Sequence, residues 1–493
     1  MLERELKLYI PAAQQAAVMS AIQQLPAKQQ LHLAARYFDT SERSLAHQGA
    51  ALRLRLENEQ WVQTLKMRGG DALSHVEYNH LRSEPTLDLN LYKDTPAAAL
   101  FTQLSAPLEM RYQTDVQRTT ALITTPQAEI ELALDFGVIK AKELSLPISE
   151  IEFELKKGSM AEVFSTALSW LKPFNLLLEL RSKAERGDAL YEGLLSTPYS
   201  LNLQGTQNNV ADAYTAGSSA FLHQVIRNAA FVAGIDGTDA AEKTQARYLM
   251  LMRVGIRRLR SCRQLFKPWL TTEEQVLAKR LRSYYKAFGT WRDSDMLWLE
   301  LQPKLEQAGL PTAQALASAK SLRKKTSATP QELAASVNFQ SLLVQSLACL
   351  VLNKAIFIPE DKVAVASQQI QQRLEKWFTR IQKQSVKFEQ LNPSAQHDLR
   401  NRIKRLRYNL EVLGYSSKQP LYKALAKAQD QLGDLCDAYV ARSWYKKHAA
   451  DKKQKQFALQ WLEEKITKKH AKSKKALLLL QDQCLPKLFS VTQ

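Results

Sequence analysis

Apolar residues in this 493-residue chain recur with a period of two up to about residue 195, and with the period of a helix beyond about residue 218. Two periods in one chain mean two kinds of fold, a sheet and then a helical assembly. In the first part "MLERELKLYI" (1–10), "RYFDT" (36–40), "ALRLRLE" (51–57), "WVQTLKMR" (61–68), "DVQRTTALIT" (115–124), "AEIELALDFG" (128–137) and "ISEIEFELKKG" (148–158) read as strands. Helical stretches are expected at 11–24, 94–104 and 160–172. The polar, turn-rich run 196–218 carries no apolar period and reads as a linker. The domains expected are therefore 1–195 and 219–493.

The helical part repeats itself. "MLMRVGIRRLRSC" (250–262) and "HDLRNRIKRLRYN" (397–409) align without gaps, with arginine on arginine at 253/400, 258/405 and 260/407. Met252, Ile256 and Leu259 correspond to Leu399, Ile403 and Leu406, an apolar stripe at helical spacing. Each copy is followed by a glycine and an acidic turn, "FGTWRDSD" (288–295) and "LGDLCDA" (432–438). Two related helical bundles, about 219–345 and 365–493, are the simplest explanation.

The strands share a second property: one face of each is charged. Glu3, Glu5 and Lys7 lie opposite Leu6 and Leu8. Arg53 and Arg55 lie opposite Leu52, Leu54 and Leu56. Glu129, Glu131 and Asp135 oppose Ile130, Leu132 and Leu134, and Glu150, Glu152 and Glu154 oppose Ile151, Phe153 and Leu155. A single half-exposed strand looks the same. Recurrence across the whole sheet favours a closed barrel with a charged lumen and an apolar outside covered by helices. Buried charge is costly unless it is paired or meets a ligand. Carboxylates hold a hard divalent cation, and Arg and Lys hold the phosphate oxygens that such a cation also touches. On this reading Glu3 and Glu5 are metal ligands, and Lys7 reaches phosphate.

Residues 1–200 hold 21 Lys+Arg and 25 Asp+Glu, a net −4; the other 47 basic and 24 acidic residues make the second part +23. Such asymmetry points to a polyanionic partner for the helical part. Cys262, Cys349, Cys436 and Cys484 form no CxxC pair, so neither a disulfide framework nor a zinc site is expected. No apolar run reaches the roughly 18 residues of a membrane span. The charged N-terminus lacks the apolar core of a signal peptide. The expectation is a cytoplasmic protein without a membrane partner.

In the first part Glu3-Arg4-Glu5-Leu6-Lys7 (ExExK) comes first, then "YFDT" (37–40) and the arginines of "LRLRL". Lys66, Arg118, Asp135, the "EIE" of 150–152 and Lys183 in "SKAERG" follow in the same order. In this it resembles the CYTH superfamily, the triphosphate tunnel metalloenzymes. The resemblance implies an α+β domain built on an eight-stranded antiparallel tunnel that hydrolyses a triphosphate with Mg²⁺ or Mn²⁺. It implies metal at Glu3, Glu5, Asp135, Glu150 and Glu152. Phosphates would be gripped by Lys7, Arg53, Arg55, Lys66, Arg118 and Lys183. Glu77, Glu129 and Glu154 receive no role from it. Inorganic triphosphate is the expected substrate. Thiamine triphosphatase, RNA 5′-triphosphatase and adenylate cyclase remain alternatives in the same tunnel, and a non-catalytic polyphosphate-binding protein is an alternative of another class. Lys7 is also the candidate general base.

"HDLRNRIKRLRYNLEVL" (397–413) with "QDQLGDLCDA" (429–438) resembles the CHAD domain, an all-α module of two bundles associated with polyphosphate. Met250 stands where the first repeat of that family often has histidine. His397, Arg400, Lys404 and Arg407, with Arg253, Arg257 and Arg260 in the other repeat, are the candidate polyphosphate-binding residues. Stacking aromatics interleaved with basic residues are missing, which argues against nucleic acid as the partner.

Overall fold

The computed structural model describes residues 2–71, 73–201, 209–237, 240–311, 328–415, 418–449 and 451–487. It divides into two compact units. One comprises Met1–Tyr199, Ile226–Tyr248 and Gln331–Leu352; the other comprises Ser200–Val225, Leu249–Pro330 and Asn353–Gln493.

The first unit contains β1 (Leu2–Tyr9), β2 (Gln29–Asp39), β3 (Ala50–Glu57), β4 (Gln60–Arg68), β5 (Ser74–Arg82), β6 (Glu109–Thr125), β7 (Ala128–Ala141) and β8 (Leu144–Gly158). They pair antiparallel in the order β5-β4-β3-β2-β6-β7-β8-β1, and β1 also pairs with β5, so the sheet closes into an eight-stranded barrel. A two-residue strand, β9 (Leu177–Leu178), flanks β1. Strand β5 was not foreseen; Leu81 on its charged face and His80 on its apolar face blur the alternation.

The lumen faces follow from the register. Tyr37, Arg53 and Thr64 are consecutive partners across β2, β3 and β4, and Arg118, Asp135 and Glu150 across β6, β7 and β8. Outward-facing Leu6, Leu8, Leu52, Leu54, Leu132 and Phe153 are fully buried, as a covered barrel requires. Helix α1 (Gln15–Ile22) and α2 (Met160–Phe174) provide part of that cover, with Phe153 edge-on to Trp170 at 6.4 Å. The helix expected at 94–104 is a single turn, Ala98–Thr102, packed over β3 and β4 through Leu100.

The lumen is not charged along its whole length. Leu33, Ala35, Tyr37, Val116, Ile139 and Ile148 share the inward parity and cluster with Leu190 of α3 (Lys183–Tyr191). Helix α3 thus plugs one end with apolar contacts. Gly187 makes that possible, because a Cβ there would sit 2.3 Å from the Tyr112 ring.

In the sequence after the barrel, α4 runs over Val210–Ala233, so the expected linker is helical from residue 210. Within the expected linker its buried stripe is Val210, Ala213, Tyr214 and Ser218, with Gly217 packed on Val412. Ala213, Gly217 and Ser218 supply much of that stripe, so few large apolar residues mark a period there. Residues 202–208 of the expected linker lie outside the described residues. The longer helices beyond it are α5 (Glu242–Leu265), which carries the first repeat, α6 (Thr272–Ala287), α7 (Val337–Val351), α8 (Val363–Val386), α9 (Pro393–Val412), which carries the second repeat, α10 (Pro420–His448) and α11 (Lys452–Leu478). Met252, Ile256, Leu259, Leu399, Ile403 and Leu406 are all buried, so the apolar stripe of each repeat is core. Helix α7 belongs to the first unit, where Gln340 accepts a hydrogen bond from the Leu178 amide at 2.8 Å.

Candidate active site

Strand β1 places Glu3, Glu5 and Lys7 in the lumen at the closing seam. Glu3 pairs in register with His75 of β5, while Glu5 and Lys7 pair with Glu154 and Glu152 of β8. Lys66 projects from β4 into the same space. Its Nζ lies 2.5 Å from Glu3, 3.1 Å from Glu5 and 3.3 Å from Glu77. Three carboxylates therefore share one ammonium. Burial, then the neighbouring Glu5, pushes the Glu3 carboxyl up to about 8. Burial acts to raise Glu77 as well, but Lys66 and Arg53 outweigh it and hold that group at about 2.

Asp135, Glu150 and Glu152 form a second acidic group, and here the cations match the acids. Arg118 donates to Asp135 at 2.7 and 2.6 Å and to Glu152 at 2.6 Å. Lys183, at the N-terminus of α3, lies 2.6 Å from Asp135, 2.5 Å from Glu150 and 2.8 Å from Glu152. Burial alone would raise Asp135 and Glu152; Arg118 and Lys183 reverse it and hold both below the usual carboxylate range. Lys7 approaches Glu150 at 3.4 Å and donates to the Arg181 carbonyl.

Arg53 and Arg55 complete the cationic wall on β3. Arg53 donates to the Tyr37 hydroxyl at 3.4 Å, and Arg55 to Glu57 at 2.7 Å. Burial, then Arg53, lowers the Arg55 guanidinium to about 10, with Arg118 adding to the effect. Cations crowded until one is weakened form a seat for an anion.

The five expected metal ligands thus separate into two sets. The ligand atoms of Glu3, Glu5 and His75 lie within 4.8 Å of one another, as do those of Asp135, Glu150 and Glu152. Excess negative charge lies with the first set, since Glu77 stands beside it. A hard divalent cation fits that oxygen-rich surplus. His75 and Glu77 were missed or set aside at the sequence level because both lie on β5, whose alternation is blurred. Glu154, also set aside, stands across from Glu5 and pairs with Lys156 at 2.8 Å. Glu129 lies at the β7–β8 end, opposite Lys157.

In the second unit the two repeats use arginine alike. Arg253 lies against Gly289 and over the Tyr285 ring at 4.7 Å, and Arg400 lies against Gly433. Arg260 also covers Tyr285, at 5.0 Å. Arg400 reaches Asp437 at 3.5 Å. Lys404 is only 6% exposed; burial, then Arg257 and Arg400, lowers its ammonium to about 6. His397 is lowered too, by burial and by Arg400 and Lys404. Arg407 is engaged elsewhere, bonded to Gln429 and Tyr422 at 3.0 Å and 3.7 Å from Glu411.

Residues 1–187 match the CYTH domain and residues 230–446 match the CHAD domain. The chain thus carries a CYTH domain followed by a helical CHAD domain. It is 37% identical over 166 residues to a protein of Haemophilus influenzae named inorganic triphosphatase. That match takes in 32% of this chain and 46% of the relative, so it spans under half the relative's length. The CHAD domain of Ricinus communis is similar at 24% identity and TM-score 0.41, over 57% of this chain and 95% of that one. A Hippeastrum protein described as a putative adenylyl cyclase with dominant triphosphatase activity is similar at 17% identity and TM-score 0.30, over 38% and 95%. Among the described residues no helix is long and apolar enough to cross a membrane.

Proposed function

We propose that the barrel hydrolyses inorganic triphosphate to diphosphate and phosphate with Mg²⁺ or Mn²⁺, and that the helical domain binds polyphosphate. The observation that carries the first part is the crowding of Arg53, Arg55 and Arg118 in a lumen that also holds the surplus acids Glu3, Glu5 and Glu77. A chain of phosphates with its cation satisfies both groups at once. The apolar plug around Tyr37, Tyr112 and Leu190 limits the depth of the charged space, which favours a short chain.

Glu3 and Glu5, with His75, Glu77 or Glu154 beside them, would hold the cation; it would supply charge neutralisation at the phosphoryl oxygens. Arg53 and Arg55 bind and align the phosphates through guanidinium forks. Arg118 and Lys183, now bound to acids, exchange some of those contacts for phosphate. Lys7 faces two acceptors, the Arg181 carbonyl and Glu150, which favours its use as a donor to phosphate over general base. The named Haemophilus relative supports the choice of inorganic triphosphate over the organic alternatives.

The polyphosphate reading is supported by Lys404, nearly buried between Arg257 and Arg400 with Asp437 as the carboxylate nearby. A polyanion would neutralise that cluster. Phosphate release from inorganic triphosphate, ATP and thiamine triphosphate, each with and without Mg²⁺, tests the enzyme reading. Inorganic triphosphate should have the highest kcat/KM, by at least about tenfold. An organic triphosphate that does better would replace it as substrate.

A further inference from the structure

Asp236 lies just past α4, within the residues that match the CHAD domain, yet it belongs to the barrel's compact unit. Its φ is +54°, a left-handed conformation uncommon outside glycine. What holds it there is visible. Both of its oxygens are taken by Arg186, from Nε at 2.8 Å and Nη2 at 2.9 Å, and Arg181 Nη1 adds a contact at 3.2 Å. The Asp236 side chain is 4% exposed and that of Arg186 only 1%.

These two arginines stand directly behind Lys7. The Arg181 carbonyl accepts from Lys7 Nζ. Arg186 Nη1 lies 3.7 Å from Glu150 Oε2, the same oxygen that faces Lys7 at 3.4 Å. Neither oxygen of Glu150 is in hydrogen-bond geometry with a donor among the described residues; it is held by ion pairs, with Lys183 at 2.5 Å, Lys7 at 3.4 Å and Arg186 at 3.7 Å. A buried guanidinium takes a carboxylate bidentately when one is in reach. Asp236 fills that role for Arg186. Without its charge the nearest carboxylate to Arg186 is Glu150.

We propose that Asp236 is a positioning residue for the triphosphate site: by engaging Arg186 it keeps that guanidinium off Glu150, so that Glu150 remains with Lys7 and Lys183. This rests on the reading of the barrel as a triphosphate site. Residues 226–248, which follow the barrel in sequence, thereby contribute to its chemistry without touching substrate. Arg181 keeps Glu179 as a second partner, at 2.5 Å, so loss of the Asp236 charge leaves neither arginine without an acid.

The test uses the full chain and two measurements: calorimetric binding of tripolyphosphate in the absence of divalent cations, and steady-state hydrolysis with Mg²⁺. Asp236→Asn should weaken tripolyphosphate binding and raise KM by about tenfold each, with kcat lowered less than about threefold, because Glu150 no longer holds Lys7 and Lys183 in place and that loss of position outweighs the loss of one negative charge. Adding Arg186→Gln removes the group that would capture Glu150, and should bring affinity back to within about threefold of wild type. A purely structural role predicts the opposite, a double variant at least as impaired as the single one. If Asp236→Asn is not recovered folded, Asp236→Glu decides: it keeps the charge but drives Arg186 towards Glu150, and should weaken binding at least about threefold. Wild-type affinity in either folded single variant, or no recovery in the double variant, overturns the inference alone. A wild type that neither binds nor hydrolyses tripolyphosphate overturns the substrate reading and this inference with it.

Discussion

Lys404→Met should make the protein more stable, although it removes a residue proposed to bind ligand. Met retains the straight apolar stem and deletes only the ammonium. In the folded chain that ammonium is lowered from 10.5 to about 6, by burial first and then by Arg257 and Arg400. The unfolded chain keeps the proton up to its ordinary range, so between about 6 and 10.5 it holds more protons than the folded one, and stability rises with pH across that window. At about pH 7.5 the folded lysine has given up a proton that the unfolded one retains, about 3 pH units below the unfolded value. At about 1.36 kcal/mol per unit this costs about 4 kcal/mol. Rearrangement of Asp437 and entry of water offset about half, leaving a gain of about 2 kcal/mol for Met. That corresponds to a rise of roughly 4–8 °C in the melting transition. The gain should shrink steadily towards about pH 10. Scanning calorimetry of both proteins at several pH values measures it, and polyphosphate should bind wild type more tightly near pH 6 than near pH 8. A Lys404→Met protein that is less stable near neutral pH, or a difference that does not change with pH, would falsify the description of Lys404 as a lysine that burial, Arg257 and Arg400 strip of its proton.

Two further outcomes bear on the proposed ligands. Glu5→Ala should lower turnover in Mg²⁺ by at least about a hundredfold. It should leave the apo protein as stable or more so, because the charge that helps push Glu3 up to about 8 is gone; near-normal turnover in Mg²⁺ removes Glu5 from the site. Arg400→Ala combined with Lys404→Ala should weaken long-chain polyphosphate binding by about tenfold or more at physiological salt, with DNA binding much weaker throughout. Titrations at several salt concentrations read this, and DNA bound as tightly as polyphosphate would reassign the partner.

The barrel was legible because its two faces differ sharply. Alternation in "ALRLRLE" and "EIELALDFG" locates β3 and β7 and says which side is charged. Recurrence of the charged face indicates a closed barrel, but which strands meet at the seam could not be read that way, since the pairing of Glu3 with His75 joins segments with no local signal linking them. Nor could the plug: Leu33, Ile139 and Ile148 share parity with charged residues, and only the arrival of Leu190 explains why apolar groups face inward there. Sequence order also grouped Glu3 and Glu5 with Asp135, whereas barrel geometry gives each acidic set its own cations. In the helical half, arginine spacing announced the repeat, and the structure shows what that spacing serves, an arginine laid on a glycine in both copies. The place of residues 226–248 in the barrel's unit left no mark in composition, because Asp236 is one ordinary acid in a turn.

Closure through β1 has a consequence for how the chain is made. Residues 2–9 pair with 74–76, with 150–154 and with 177–178, so they leave the ribosome long before most of their partners exist. At about 5–20 residues per second, β1 waits roughly 10–30 seconds before Leu178 has been synthesised. Until β1 pairs with them, β5 and, once residues 144–158 are made, β8 are open edges, and pairing at long sequence separation is intrinsically slow. The amide of Leu178 then waits longer still, for Gln340 on α7. A nascent chain halted between about residues 180 and 340 would carry a closed barrel that lacks this outer partner. Synthesis, and not only sequence, thus sets an order of assembly in which the tunnel closes early and is completed late.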